Sequence, residues 1–264
     1  MQAAFFDLDK TVIAKSSMLV FSHSFFKDGL LSRATLIRAA YGQLAFMLVG
    51  ADEAKMEKAR RTALKLTEGW EQARVRRLVT ETMEEAIRPI IFSEALELFA
   101  EHRRAGRRIY IISSAPEEVV EPLSRMLKVD DYIATRSRVV DGRYVGELDF
   151  YCYGENKAVA IRELAEWRGF ELDECYAYSD SITDVPMLDA VGNPCAVNPD
   201  RELEKVSEER GWEIRKFTET APLDPRHYLS ENKHGIAIAA GVAAIALAVI
   251  LRRYLSDTAE SDAA

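Results

Sequence analysis

The stretch Ala3-Ala4-Phe5-Phe6-Asp7-Leu8-Asp9-Lys10-Thr11 decides the fold. Four consecutive apolar residues without polar alternation read as a strand buried on both faces, as in a parallel sheet covered by helices. The run stops at Asp7. Residues i and i+2 of a strand point to one side, so Asp7 and Asp9 project together from its carboxyl end, where open α/β sheets bind ligands. Two carboxylates that close repel each other. A divalent metal relieves the repulsion and leaves one carboxylate to act as nucleophile while the other moves protons.

Outward from this strand the pattern recurs. Short apolar runs at Arg108 to Ile112, Tyr132 to Ala134, Cys175 to Tyr178, Cys195 to Val197 and Trp212 to Ile214 are predicted strands. Helical spacing predicts helices over Ser93 to Arg104, Pro116 to Leu127, Asn156 to Trp167, Asp184 to Val191 and Arg201 to Glu209. Alternation of the two means an α/β fold: a Rossmannoid parallel sheet with helices on both faces. Asp141-Gly142, between Val139-Val140 and Arg143-Tyr144, is the signal of a tight hairpin. Between the first strand and Ser93 there is no strand pattern, only Leu, Ala, Lys, Arg and Glu at helical spacing, which reads as an inserted all-α cap. Within it, Phe21, Phe25 and Phe26 read first as cap core and second as an acyl-chain contact. The expected organisation is a core of residues 1–12 and 90–220, a cap of 13–89, a linker of 221–233, an apolar C-terminal helix of 234–254 and a disordered tail of 255–264.

Composition narrows the function. The 264 residues are 48% hydrophobic and 30% charged with a formal net charge of −8, which rules out disorder and argues against a nucleic-acid partner, since phosphate neutralisation needs clustered positive charge. Cys152, Cys175 and Cys195 are widely spaced and odd in number, so neither a disulfide framework nor a zinc ribbon is expected. His23, His102, His227 and His234 share no ligand spacing and read as surface or packing residues.

Four further positions complete the chemistry. Ser113 follows the apolar run Ile109-Tyr110-Ile111-Ile112, where a hydroxyl can donate to a phosphoryl oxygen. Lys157 opens a helix after Gly154-Glu155-Asn156 and offers an ammonium; alone it reads as a solvated helix residue. Asp180 and Asp184 follow Cys175-Tyr176-Ala177-Tyr178-Ser179 and supply hard oxygens suited to Mg²⁺; alone, Asp184 reads equally as a helix N-cap.

In this order Asp7-Leu8-Asp9-Lys10-Thr11, Ser113, Lys157 and Ser179-Asp180-Ser181-Ile182-Thr183-Asp184 resemble the four motifs of the haloacid dehalogenase superfamily. The helical insertion directly after the first motif resembles the type 1 cap of its phosphoserine-phosphatase-like branch. The resemblance implies a Mg²⁺-dependent phosphomonoesterase that works through a phosphoaspartyl intermediate. Asp7 would be the nucleophile and Asp9 the acid/base. Ser113 and Lys157 would bind the phosphoryl group, with Thr11 and Ser114 in support. The metal would be held by Asp7, the Asp9 carbonyl and Asp180, with Asp184 placing a ligand water. Phosphoserine phosphatases carry a Glu nine residues after the nucleophile, to meet the substrate ammonium; Ser16 stands there in this chain, which argues against L-phosphoserine. Arg61, or else Arg60, falls near the cap Arg that pairs with the serine carboxylate in that branch.

Gly235 to Leu251 contains no polar side chain. As a helix it would reach about 25 Å, and Lys233 and Arg252-Arg253 can snorkel to extend it. The expectation is a single-pass tail anchor holding the enzyme at the cytoplasmic side of the cell membrane, with a soluble cytoplasmic protein as the alternative. The substrate class expected is a small or lipid-linked phosphate monoester. The competing functional reading is a catalytically silent, membrane-anchored scaffold or morphology protein.

Overall fold

The computed structural model of the chain describes residues 1–32 and 53–220. Met1–Ala221 forms one compact unit. The linker 221–233, the apolar helix 234–254, the tail 255–264 and the cap residues 33–52 predicted from sequence lie outside the described residues.

Within the unit the elements run β1 (Ala3–Phe6), α1 (Ser17–Lys27), α2 (Glu53–Thr67), α3 (Gln72–Ile87), α4 (Ser93–Arg104), β2 (Arg108–Pro116), α5 (Glu117–Leu127), β3 (Asp131–Val140), β4 (Arg143–Phe150), α6 (Glu155–Arg168), β5 (Tyr176–Ser179), α7 (Val185–Asp189), β6 (Asn193–Val197), α8 (Arg201–Arg210) and β7 (Glu213–Arg215). They build one sheet in the order β4-β3-β2-β1-β5-β6-β7. Every pairing is parallel except β3 with β4.

The period of two in β1 explains its apolar run. Phe6 and Ala4 enter one core, with Phe99 of α4 and Val119 and Leu123 of α5. Phe5 and Ala3 enter the other, with Ile161 of α6, Leu188 of α7 and Leu203 of α8. All four are buried because helices cover both faces, and each Phe contributes about 2–3 kcal/mol of burial.

The third strand runs well past the predicted Tyr132 to Ala134, because residues 135–140 extend it into the hairpin with β4. Asp141 (φ 49°) and Gly142 (φ 75°) both take left-handed conformations, as a type I′ turn requires. The apolar stripe Val75, Val79, Met83 and Ile87 on α3 is buried at helical spacing, and Phe21 and Phe25 of α1 join the same core. Phe21 and Phe25 are therefore cap core, the first reading of the Phe cluster, whereas Phe26 is half-buried and outside that core. The two connections between cap and core pair with each other: Phe92 N–H donates to the Val12 carbonyl at 3.0 Å and Ala14 N–H to that of Ile90 at 2.7 Å.

Candidate active site

The site lies where β2, β1 and β5 sit side by side in the sheet. Asp7 is one residue past β1 and its backbone N–H donates to the Tyr178 carbonyl at 2.9 Å, which extends the ladder to the point where the chain turns away. Ser113 lies on β2 where its register with β3 becomes irregular, and Asp180 follows β5. Because these strands are adjacent and parallel, their carboxyl ends converge, and residues more than 60 positions apart in sequence meet.

Lys157 is the centre of the arrangement. Its ammonium donates to Asp7 Oδ1 at 2.6 Å and to Asp184 Oδ2 at 2.7 Å, and the side chain is 2% exposed. The reading of Lys157 as a solvated helix residue is overturned: the first turn of α6 points it under β1. Asp184 also accepts from Ser179 Oγ at 2.6 Å. It precedes α7 in the chain but makes no side-chain cap bond, so its carboxylate serves Lys157 rather than the helix.

Asp9 is half-buried and held differently. Its Oδ1 accepts from the Ser17 N–H at 2.9 Å, the first residue of α1, so the cap's first helix orients this carboxyl. Burial raises its pKa above the ordinary value, while bonds from Ser17 and Ser16 pull the other way. Ser16, the residue in place of the expected Glu, thus faces Asp9. Ser113 is buried, and its Oγ accepts from the Ala115 N–H at 3.1 Å, which leaves the hydroxyl proton available to a ligand oxygen.

Buried charge is out of balance here. Burial raises the Asp7 carboxyl to about 8, against the pull of Lys157, and Asp184 and Asp180 add to the rise. Burial likewise lifts Asp180 to about 6, moderated by Lys10. Burial alone would lower the Lys157 pKa, yet Asp184 and Asp7 outweigh it and hold the ammonium above its usual value. Asp7 and Asp184 share the one ammonium of Lys157 while Asp180 pairs with the exposed Lys10, so buried carboxylates outnumber buried cations in the site. Among the described residues no three His, Cys, Asp or Glu side chains are drawn together into a ready metal cage. Mg²⁺ does not need one, since it binds through one or two carboxylates and keeps several waters. Asp7 and Asp180, with the Asp9 carbonyl, fit that donor set, and the surplus of negative charge suits a cation.

The two residues expected in support, Thr11 and Ser114, sit differently from each other. Thr11 is fully buried but its Oγ1 has no hydrogen-bond partner among the described residues; it is the Thr11 N–H that binds, to the Leu8 carbonyl at 3.4 Å. Ser114 is exposed beside the buried Ser113. Other residues went unassigned in the sequence. Lys10 takes a left-handed φ of 64° and brings its ammonium to 3.5 Å from Asp180 Oδ2. Asp200 receives the Ile182 N–H at 2.9 Å and donates its own N–H to the Asp180 carbonyl at 2.7 Å, pinning the loop that carries both acidic residues. Asp200 stands directly before a helical pattern, a legible N-cap signal, whereas nothing in the sequence marks the Lys10 conformation. Cys152 lies near the site, but burial pushes its thiol up to about 12 and leaves it inert as a nucleophile.

Comparison with known proteins places the chain in a family. Residues 4–189 match the model of the haloacid dehalogenase-like hydrolase family. The chain is 46% identical over 258 residues to a probable phosphatase of Mycobacterium tuberculosis, covering 96% of this chain and 90% of that protein. It is 36% identical over 217 residues to a phosphoserine phosphatase of the same organism, covering 81% of this chain and 70% of the other. A Streptomyces azureus protein named for inhibition of morphological differentiation is 50% identical over 225 residues, or 85% of this chain and 81% of that one. Among solved structures, a Bordetella pertussis protein of unknown function superposes with a TM-score of 0.71 at 26% identity, covering 81% of this chain and 97% of its own. A phosphoserine phosphatase carrying an analogue of the phosphoaspartyl intermediate shares the fold, with a TM-score of 0.60 at 17% identity over 81% of this chain and 92% of its own. By the family match, the cap inserted after β1 and the converging carboxylates, the chain belongs to the haloacid dehalogenase-like hydrolases, in their phosphoserine-phosphatase-like branch.

Proposed function

We propose that the chain is a Mg²⁺-dependent phosphatase of small or lipid-linked phosphate monoesters that works through a phosphoaspartyl intermediate on Asp7. The observation that carries this reading is the bond from Lys157 to Asp7 Oδ1, which fixes the carboxylate and leaves Oδ2 to attack. Asp7 Oδ2 forms a bond to phosphorus as the ester oxygen departs, and Asp9 gives that oxygen its proton. Burial keeps the Asp9 carboxyl protonated to higher pH than a free carboxyl, as an acid requires. Asp9 then takes a proton from the water that cleaves the acyl phosphate, restoring Asp7. Ser113 donates to a phosphoryl oxygen, and Lys157 neutralises charge on the transferring group. Bound Mg²⁺, held by Asp7, the Asp9 carbonyl and Asp180 with Asp184 behind them, would supply the remaining positive charge. Ser16, uncharged beside Asp9, disfavours a substrate that presents an ammonium group there.

A lipid-linked monoester is the finer reading, supported by the uncharged run Gly235 to Leu251 as a tail anchor. Among the described residues no helix is long and apolar enough to cross a membrane. Fractionation of cells expressing the chain with and without residues 233–264 tests the anchor, which fails if both forms stay in the soluble fraction.

The test of the activity is Mg²⁺-dependent phosphate release from an aryl phosphate by the chain and by Asp7→Asn. Release by the first and not the second is expected. Equal, negligible release would favour the silent scaffold or morphology protein instead.

A further inference from the structure

The loop Tyr151-Cys152-Tyr153-Gly154 joins β4 to α6 and holds two aromatic rings that phosphoryl transfer does not use. Cys152 points into the core: it is fully buried, its N–H donates to Thr135 Oγ1 at 3.2 Å and its thiol to the Ile133 carbonyl at 3.7 Å. The flanking tyrosines meet each other instead, with ring centroids 5.2 Å apart and planes only 10° from parallel. From the cap, the Arg60 guanidinium of α2 lies over the Tyr151 ring, 5.5 Å from its centroid. The pair therefore stands between core and cap, half-buried.

The loop's main chain is also fixed against the first turn of the helix that carries the catalytic ammonium. Asn156 Nδ2 donates to the Tyr151 carbonyl at 2.9 Å, the Asn156 N–H to that of Tyr153 at 3.2 Å, and the Lys157 N–H to that of Gly154 at 3.0 Å. Gly154 takes φ 55°, ψ −128°, a conformation that side-chain-bearing residues rarely adopt, so the turn from Tyr153 to Lys157 is set by a residue suited to it. A short, hydrogen-bonded loop thus ties an aromatic stack to the residue that binds the phosphoryl group.

We propose that Tyr151 and Tyr153, with Arg60 of the cap, form the wall that receives the leaving group, and that this wall selects monoesters whose leaving group presents a flat aromatic or heteroaromatic face. This rests on the phosphoryl-binding role assigned to Lys157. A planar ring extends a parallel stack with favourable quadrupole geometry, whereas an alkyl chain of similar size gains contact area only, so of the two substrate classes in the proposed function this wall favours the small monoester over the lipid-linked one. The cap phenylalanines do not offer the same surface, because Phe21 and Phe25 are buried in the cap core.

The experiment is calorimetric binding of phenylphosphonate and hexylphosphonate to the full chain in Mg²⁺ buffer. Neither probe is hydrolysed, so the ratio of dissociation constants is independent of turnover. Phenylphosphonate is expected to bind about tenfold more tightly, the equivalent of about 1.4 kcal/mol. The preference should vanish in Tyr153→Ala and persist in Tyr153→Phe. A partly unfolded variant weakens both apparent dissociation constants by the same factor, so their ratio still reads the preference. Equal or tighter binding of hexylphosphonate, or a phenyl preference that survives Tyr153→Ala, overturns the inference. The phosphatase reading fails separately, through absence of phosphate release while the binding preference stands.

Discussion

Protonating His102 should destabilise this protein from the inside. The side chain sits on α4 with 1% of its surface exposed, against the rings of Phe6, Tyr176 and Tyr178. Its Nε2 lies 3.0 Å from the Tyr178 hydroxyl, and Arg107 Nη1 approaches Nδ1 at 3.4 Å. With Arg107 donating to Nδ1, the neutral ring carries its proton on Nε2. Burial first, then the positive charges of Arg107 and Arg215, lowers the His102 pKa from 6.5 to about 4. A lowered folded pKa means that the unfolded chain binds the proton more readily, so stability is complete above about pH 6.5 and is lost as pH falls toward 4. The full difference between the two values corresponds to about 3 kcal/mol, of which about 2 kcal/mol is gone by pH 5. That is a large share of the roughly 5–15 kcal/mol by which domains are stable. Urea unfolding of the chain and of His102→Gln at pH 7 and pH 5 isolates the effect, because carboxylates common to both proteins cancel in the comparison. His102→Gln should lose about 2 kcal/mol less than the native chain over this interval. Parallel losses in the two proteins would refute the claim that His102 is held neutral by its surroundings.

Other outcomes follow from the site. Asp9→Asn keeps an oxygen for the Ser17 N–H but cannot move a proton, so kcat should fall about 10²- to 10⁴-fold without a change in melting temperature; an unchanged kcat removes Asp9 from acid/base duty. Lys157→Met leaves Asp7 and Asp184 facing each other without their cation and should cost about 3–5 kcal/mol in urea unfolding, part of which a second change, Asp184→Asn, restores. If the double variant is no more stable than the single one, charge balance is not what Lys157 provides. Gly192→Ala should destabilise by about 1–3 kcal/mol, because a Cβ there would sit 1.8 Å from the Asp173 carbonyl oxygen; a melting temperature equal to that of the native chain would count against this packing.

Strand period and motif order were legible because they are local. The buried run Ala3–Phe6, the alternation of strands and helices, the Asp141-Gly142 turn and the helical cap each follow from which side of an element a residue faces, and a short window of sequence records that. The candidate site was legible as a list, since Asp7, Asp9, Ser113, Lys157, Asp180 and Asp184 each sit at a strand end or in the turn or helix that follows it. Their partnerships were not. Taken alone, Lys157 reads as a solvated helix residue and Asp184 equally as an N-cap; that Lys157 turns from α6 onto Asp7, and Asp184 from beyond β5 onto Lys157, is decided by the packing of the sheet and its helices. The third strand extends beyond its apolar run because its outer half is an edge hairpin that alternates with polar residues.

By itself, then, the sequence determined the layers of the fold and which side chains could do chemistry, because periodicity and strand ends are properties of the chain's own geometry. Tertiary structure decided how charge is shared: one buried ammonium between two carboxylates, Lys10 turned left-handed toward Asp180, Asp9 held by the first turn of the cap, and His102 kept neutral among aromatic rings. Those outcomes depend on burial and on distances between residues up to 170 positions apart. Coulomb energies vary with separation and local dielectric, and neither is fixed until the sheet has closed around them.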